Sequence, residues 1–99
     1  MTDLDELLRE FDCHPTWSGS GRERKKRAEK RDKVEKTRKT YLAVMSRPNA
    51  PTSLAECQEA VRQGMTAGMG PLAAWFFWQL VGALINKVVS WLWERYNRA

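Results

Sequence analysis

Apolar residues are concentrated in the last third of this chain. In residues 72–93, 17 of 22 residues are apolar, against 15 of 52 in residues 1–52. Because a helix rises about 1.5 Å per residue, this segment as a helix is about 33 Å long, sufficient to cross a bilayer. Its large aromatic residues lie near both ends, where amphipathic rings meet the two membrane–water interfaces. The predicted membrane-interface anchors are Trp75, Trp78, Trp91, Trp93 and Tyr96.

The polar pattern within this segment changes along its length. Residues 72–78 are apolar on all sides, whereas from residue 79 to Asn97 polar and small residues follow one side. Such a stripe favours packing against copies of the same helix or against another protein, because small residues allow close approach and polar ones hydrogen-bond. The predicted helix-packing interface consists of Gln79, Gly82, Ala83, Asn86 and Ser90. Lys87 opposes insertion by up to about 3 kcal/mol, so a partner would help this helix to span.

An acidic amphipathic helix is predicted over residues 1–12, with Thr2 as a suitable N-cap. Its apolar residues recur at helical spacing, and its net charge is −4. A helix this short is marginal alone. We expect it to pack against the rest of the chain or to dock on another subunit.

A long basic helix is predicted over residues 22–45, which contain neither glycine nor proline. Residues 22–39 hold eleven bases and four acids, and each acid precedes a base by four residues, the favourable order for helix ion pairs. The helix could be solvated without a ligand, attracted to anionic lipid or to nucleic acid phosphates, or covered by the acidic N-terminal helix. The predicted anionic lipid or nucleic-acid contacts are Arg22, Arg24, Lys25, Lys26, Arg27, Lys30, Arg31, Lys33, Lys36, Arg38 and Lys39.

A third, short helix is predicted over residues 53–64. Ser53 and Glu56 form a capping-box pattern, and Gly64 is a plausible C-cap. The connecting segments are a flexible linker at 13–21, a proline-containing turn at 46–52 and a glycine-rich connector at 65–70 that precedes the apolar helix at 71–97. The sequence therefore predicts an all-α chain of four helices with little independent globular core.

Composition adds a size limit and argues against catalysis. With 99 residues and a net charge of +5, the chain is at most one small domain. Cys13 and Cys57 fit no paired-ligand spacing and are expected to be free thiols; the alternative is a disulfide, or a metal site that includes His14. Otherwise His14 is interpreted as a linker residue, and Trp17 is expected to make an intramolecular or interface contact. No nucleotide-binding, zinc-protease or C-x-x-C motif is present, so we expect no enzyme activity, cofactor, metal or small-molecule substrate.

The pattern as a whole predicts a small single-pass membrane protein. No signal peptide is visible at the N-terminus, so insertion would use the C-terminal helix, as in a tail-anchored protein, with the basic region on the cytoplasmic side. The helix would span the bilayer or lie in its interface, and would pack against copies of itself or a larger membrane complex. The alternative is a soluble or virion-associated helical structural protein that contacts nucleic acid. A third possibility follows from size and layout, which are similar to those of phage holins and imply an oligomeric pore with the polar stripe facing water.

Overall fold

The computed structural model describes residues 3–16 and 19–96. In that part of the chain 78% of residues are helical and no strand is present, which confirms the predicted all-α fold. The helices are α1 (Asp3–Glu10), α2 (Gly21–Met45), α3 (Leu54–Thr66) and α4 (Pro71–Tyr96). The predicted roles of Thr2, Trp17 and Asn97 lie outside the described residues.

The start of α3 is fixed by the side chain predicted to cap it. Ser53 is the N-cap, and its Oγ accepts a hydrogen bond from the Glu56 backbone N–H at 3.2 Å. The Glu56 carboxylate in turn accepts from the Thr52 N–H at 3.2 Å. The prediction of Gly64 as the C-cap is wrong, because α3 continues to Thr66.

The chain divides into two compact units, residues 1–35 and residues 36–99. In the first unit the chain turns back after α1 at Asp12, whose φ of 57° lies in the left-handed region that Asp tolerates better than most residues. Arg27 of α2 donates to the Asp12 carboxylate at 2.6 Å, so the acidic N-terminal segment contacts the basic helix at this ion pair. The buried apolar residues of this unit are Leu7, Leu8, Cys13 and Val34.

The second unit consists of the last part of α2, α3 and α4. The helices α2 and α3 run antiparallel, since Thr40 donates to the Met65 sulfur at 3.3 Å and the Cys57 thiol lies 4.0 Å from the Met45 sulfur. A Cβ added at Gly64 would lie 2.7 Å from the Thr40 methyl group. Gly64 is therefore a point of close approach between α2 and α3, rather than a helix terminus.

The helix α4 completes this core with its C-terminal half. Ile85, Val88, Val89 and Leu92 are fully buried, in a helix that packs against α3. The remaining core side chains of this unit come from α2 and α3, namely Tyr41, Val44, Cys57 and Val61. The C-terminal half of α4 is thus covered by the protein, whereas its N-terminal half is largely exposed.

Candidate membrane-contact surface

The first half of α4 exposes four large apolar side chains, which we call the apolar surface of α4: Leu72, Trp75, Phe76 and Leu80. Their exposed fractions are 69%, 55%, 54% and 83%, respectively. Steps of three, four and eight residues from Leu72 place all four on one side of the helix. The Trp75 and Phe76 rings meet edge to face, with centroids 5.1 Å apart. Contiguous exposed apolar side chains of this kind mark an interaction site.

By length and composition, α4 is able to cross a membrane. It has 26 residues and a mean hydropathy of 1.5 over its most apolar stretch, and it alone among the described helices meets these criteria. Core helices of soluble proteins meet them too, but those are mostly buried, whereas only 22% of this stretch is buried. The low burial is the result of the uncovered first half.

The predicted aromatic anchors near the start of α4 have two different surroundings. Trp75 is exposed on the apolar surface of α4. Trp78 is half-buried, and the Arg62 guanidinium of α3 lies 5.4 Å from its ring centroid, a cation–π distance. Of the two predicted anchors at this end, Trp75 is therefore the one that faces outward.

The aromatic residues near the end of α4 contact the protein itself. Tyr96 stacks on Tyr41 of α2, with ring centroids 6.1 Å apart. Trp91 and Trp93 are half-buried, and the Arg95 guanidinium lies 5.4 Å from the Trp91 ring centroid. Tyr96 and Trp91 thus have ring contacts within the chain, although Tyr96 remains 45% exposed.

Two residues of the predicted helix-packing interface make contacts inside the chain. Ser90 accepts a hydrogen bond from the Gln58 side chain of α3 at 3.3 Å. Gly82 is buried beneath the Trp78 ring of its own helix, where an added Cβ would lie 2.8 Å from a ring carbon. Both residues therefore stabilise the folded chain, whatever else contacts α4.

The other three residues of that interface are more open. Gln79 and Ala83 are exposed next to the apolar surface of α4, and Asn86 is half-buried. The Asn86 Oδ1 atom is buried without a hydrogen-bond partner among the described residues, which is unusual because buried polar atoms are nearly always paired. Gln79 and Ala83 are the positions of the stripe that a partner helix can reach directly.

The predicted anionic-contact residues lie along residues 22–39 of α2. Those that are exposed are Arg22, Arg24, Lys25, Lys26, Lys36 and Lys39, and those that are half-buried are Arg27, Lys30, Arg31, Lys33 and Arg38. Lys33 lies 3.9 Å from the neighbouring Asp32 carboxylate. The exposed group is the part of the predicted set that a charged surface meets first.

A cavity of about 420 Å³ lies beside the first turns of α2. Its walls include Arg24, Arg27 and Arg31 of α2, and His14 and Thr16 of the segment before α2. The spacing of the three arginines is visible in the sequence. The approach of His14 and Thr16 depends on the chain reversal at residue 12, which the sequence indicates only through the opposite charges of the N-terminal segment and α2. The linker interpretation of His14 omits this role.

Both cysteines are free and buried. Burial raises the pKa of Cys13 and of Cys57 above the ordinary value of 9.0, although Lys30 and Arg31 lower the pKa of Cys13 in part. Because the thiolate is the reactive form, neither residue has the properties of a catalytic nucleophile. Over residues 3–16 and 19–96, no three potential metal ligands (His, Cys, Asp or Glu) cluster together.

Comparison with protein-family models, with curated proteins and with solved structures found no match for this chain. No relative therefore assigns it an activity or a partner. The candidate sites are therefore the apolar surface of α4, the exposed basic residues of α2 and the cavity beside α2.

Proposed function

We propose that this protein is a non-enzymatic, membrane-associated protein that attaches to the bilayer through the apolar surface of α4. The observation that carries the proposal is the exposure of Leu72, Trp75, Phe76 and Leu80 on one side of a helix whose composition suits a membrane. Interfacial helices place such Trp, Phe and Leu side chains at the boundary between headgroups and acyl chains. A bilayer is the occupant that matches both this surface and the basic charge of the chain.

The size of the apolar surface sets the strength of attachment. Fully burying one large apolar side chain contributes roughly 1.5–3 kcal/mol, and these four are between about half and four-fifths exposed. Insertion therefore contributes about 4–8 kcal/mol. This range is comparable to that of a single myristoyl chain, which gives only reversible binding.

Basic residues provide the second signal that stable attachment needs. A lysine or arginine near an anionic leaflet contributes about 1 kcal/mol, and α2 has six exposed bases. Anionic lipids are concentrated in the cytoplasmic leaflet. The proposal accordingly places the basic region of the protein on the cytoplasmic side.

The packing of α4 favours attachment in the plane of the interface. Residues 72–80 are about 13 Å of helix, whereas the hydrocarbon core is about 30 Å thick. For α4 to span, Ile85, Val88 and Leu92 would have to leave the core, and Cys57 and Val61 would lose their cover. A complete span, which the 26-residue length of α4 allows, is the alternative arrangement.

A partner helix has a defined place in this proposal. Gln79 and Ala83 adjoin the apolar surface of α4 and are exposed, so a second copy or a larger membrane complex can pack there through close approach and hydrogen bonding. Substitutions at Gly82 do not test this contact, because an added side chain there meets Trp78 of the same helix.

Vesicle flotation tests the attachment. The variant Leu72→Ser/Leu80→Ser removes the two most exposed side chains of the surface, and binding to phosphatidylcholine vesicles should weaken at least tenfold, because about 2 kcal/mol or more of apolar transfer is lost. Leu42→Ser, at an exposed leucine of α2, is the matched control and should bind as the wild type does. Equal binding by the double variant and the wild type would overturn the proposal.

Extraction of cell membranes distinguishes the arrangements. A protein in the interface is released by alkaline carbonate, whereas a spanning protein requires detergent. A protein that remains soluble without membranes, and whose nucleic-acid affinity falls steeply with salt, would instead be the particle-associated structural protein.

A further inference from the structure

The cavity beside the first turns of α2 has the chemistry of a phosphate site. We propose that it binds a phosphate group, either of a free mono- or diphosphate or of a lipid headgroup such as that of phosphatidic acid. This inference concerns residues of the first unit and does not depend on membrane attachment through α4.

Three arginines line one wall of the cavity. Arg24, Arg27 and Arg31 are separated by three and four residues, which places them on one side of α2. Arg27 and Arg31 are half-buried, and partial removal from water strengthens the attraction between a cation and an anion. The planar guanidinium fork matches the oxygens of a phosphate, so arginine is preferred where phosphate is recognised.

His14 fixes the part of the wall that precedes α2. The Thr16 backbone N–H donates to His14 Nδ1 at 3.2 Å, and the Thr16 hydroxyl lies 2.7 Å from the same nitrogen. A backbone amide can only donate, so Nδ1 is the acceptor in this contact, and Nε2 lies 3.4 Å from the Asp5 carboxylate. His14 is therefore a positioning residue of the wall, and the arginines supply the charge.

The size of the cavity suits a phosphate group larger than one ion. Water in the liquid occupies about 30 Å³ per molecule, and the cavity has about 420 Å³. A diphosphate, or a phosphate with its hydration waters, fits in this space. The cavity is open to solvent on one side, which leaves room for the rest of a headgroup.

The Asp12 carboxylate competes with the proposed ligand for Arg27. Asp12 accepts from Arg27 at 2.6 Å and is largely exposed. It reduces the positive potential of the cavity and holds Arg27 in place. The binding step therefore relies on Arg24 and Arg31, and removal of the Asp12 charge should favour an anion.

Titration of the full chain with inorganic pyrophosphate, followed by calorimetry or by amide chemical shifts, tests the site. Arg24→Gln/Arg31→Gln should weaken binding at least tenfold, a loss of about 1.4 kcal/mol. Lys25→Gln/Lys26→Gln is the matched control, because it removes the same charge from exposed positions of the same helix outside the cavity. Asp12→Asn should tighten binding, and asparagine is tolerated at the positive φ of that position. Thermal unfolding should be similar for all variants.

The lipid source is distinguished with phosphatidylcholine vesicles that contain phosphatidic acid as the minor component. If phosphatidic acid increases binding, and the increase is lost in the arginine pair and competed by pyrophosphate, the ligand is a headgroup. If only pyrophosphate binds, in an arginine-dependent way, the ligand is a free phosphate. If the lysine pair and the arginine pair weaken binding equally, or if pyrophosphate does not bind, the proposal is wrong. Binding to pure phosphatidylcholine reports on α4 alone, so the two proposals fail independently.

Discussion

Burial determines the acidity and the reactivity of two individual side chains, the thiols of Cys13 and Cys57. Both thiols are buried, and loss of solvation raises the pKa of each above 9.0. The folded state therefore favours the protonated thiols. Their contribution to the free energy of unfolding is present below about pH 9 and is lost as the pH rises through the higher pKa values of the folded state.

Thiol reactivity follows from this burial. We expect iodoacetamide to alkylate both cysteines of the native protein slowly near neutral pH, because little thiolate forms and access is limited. The rate should rise as the pH exceeds 9 and should be fast at any pH above neutral in urea, where burial is removed. Mass spectrometry of quenched samples measures each site, and equal rates in native and urea-unfolded protein would contradict the described burial.

Local sequence signals determine where the helices begin, whereas contacts between helices determine the role of a glycine inside one of them. Ser53 and Pro71 mark the starts of α3 and α4 as the sequence predicts, because capping and the fixed φ of proline act within a few residues. Gly64 has the same local signal as a C-cap, but its role depends on Thr40 of another helix. No sequence pattern contains that contact.

The contact at Gly64 gives a test at this scale. Gly64→Ala should fail to provide the usual gain of about 1 kcal/mol for replacing a helical glycine, because the new methyl group meets the Thr40 methyl group at 2.7 Å. Thr40→Ser removes that methyl group and keeps the hydroxyl. The double variant should therefore recover the gain relative to Thr40→Ser alone, as measured by urea unfolding.

The contrary outcome is that Gly64→Ala alone raises the free energy of unfolding by the usual amount and that Thr40→Ser does not change this effect. That outcome would show that α2 and α3 do not approach closely at this point. The double-mutant cycle separates the contact from propensity, since propensity changes add and contact changes do not.

The same distinction applies to the candidate surfaces. The sequence predicts an apolar helix and its polar stripe, but a helix that is apolar all round near its start gives no indication of which side becomes covered. Ile85 and Val89 are buried and Leu80 is exposed because α3 covers only part of α4. The sequence likewise does not predict the cavity, because its lining residues come from two segments of the chain. His14 lies near the arginines only because the chain turns back at Asp12.

For the whole molecule, we expect α4 to stay packed against α3 while the protein is attached to a membrane. Gln58→Cys/Ser90→Cys places thiols at two side chains that are 3.3 Å apart in the folded chain, and a short bismaleimide can join them. We expect the crosslinked protein to bind vesicles as well as the same variant before crosslinking, because the apolar surface of α4 is already exposed. Loss of flotation after crosslinking would show that α4 must separate from α3.

The connector between α3 and α4 sets a limit on how deep the protein can go. From Thr66 to Pro71 there are five residue steps, and an extended chain advances at most about 3.6 Å per step, or about 18 Å in all. The connector is therefore a tether of fixed reach between the two helices. If Leu72 enters the headgroup layer, the end of α3 remains within about 18 Å of it. Arg62 also stays close to α4, because its guanidinium lies 5.4 Å from the Trp78 ring centroid. The depth that α4 reaches is therefore limited by α3, which has to follow it.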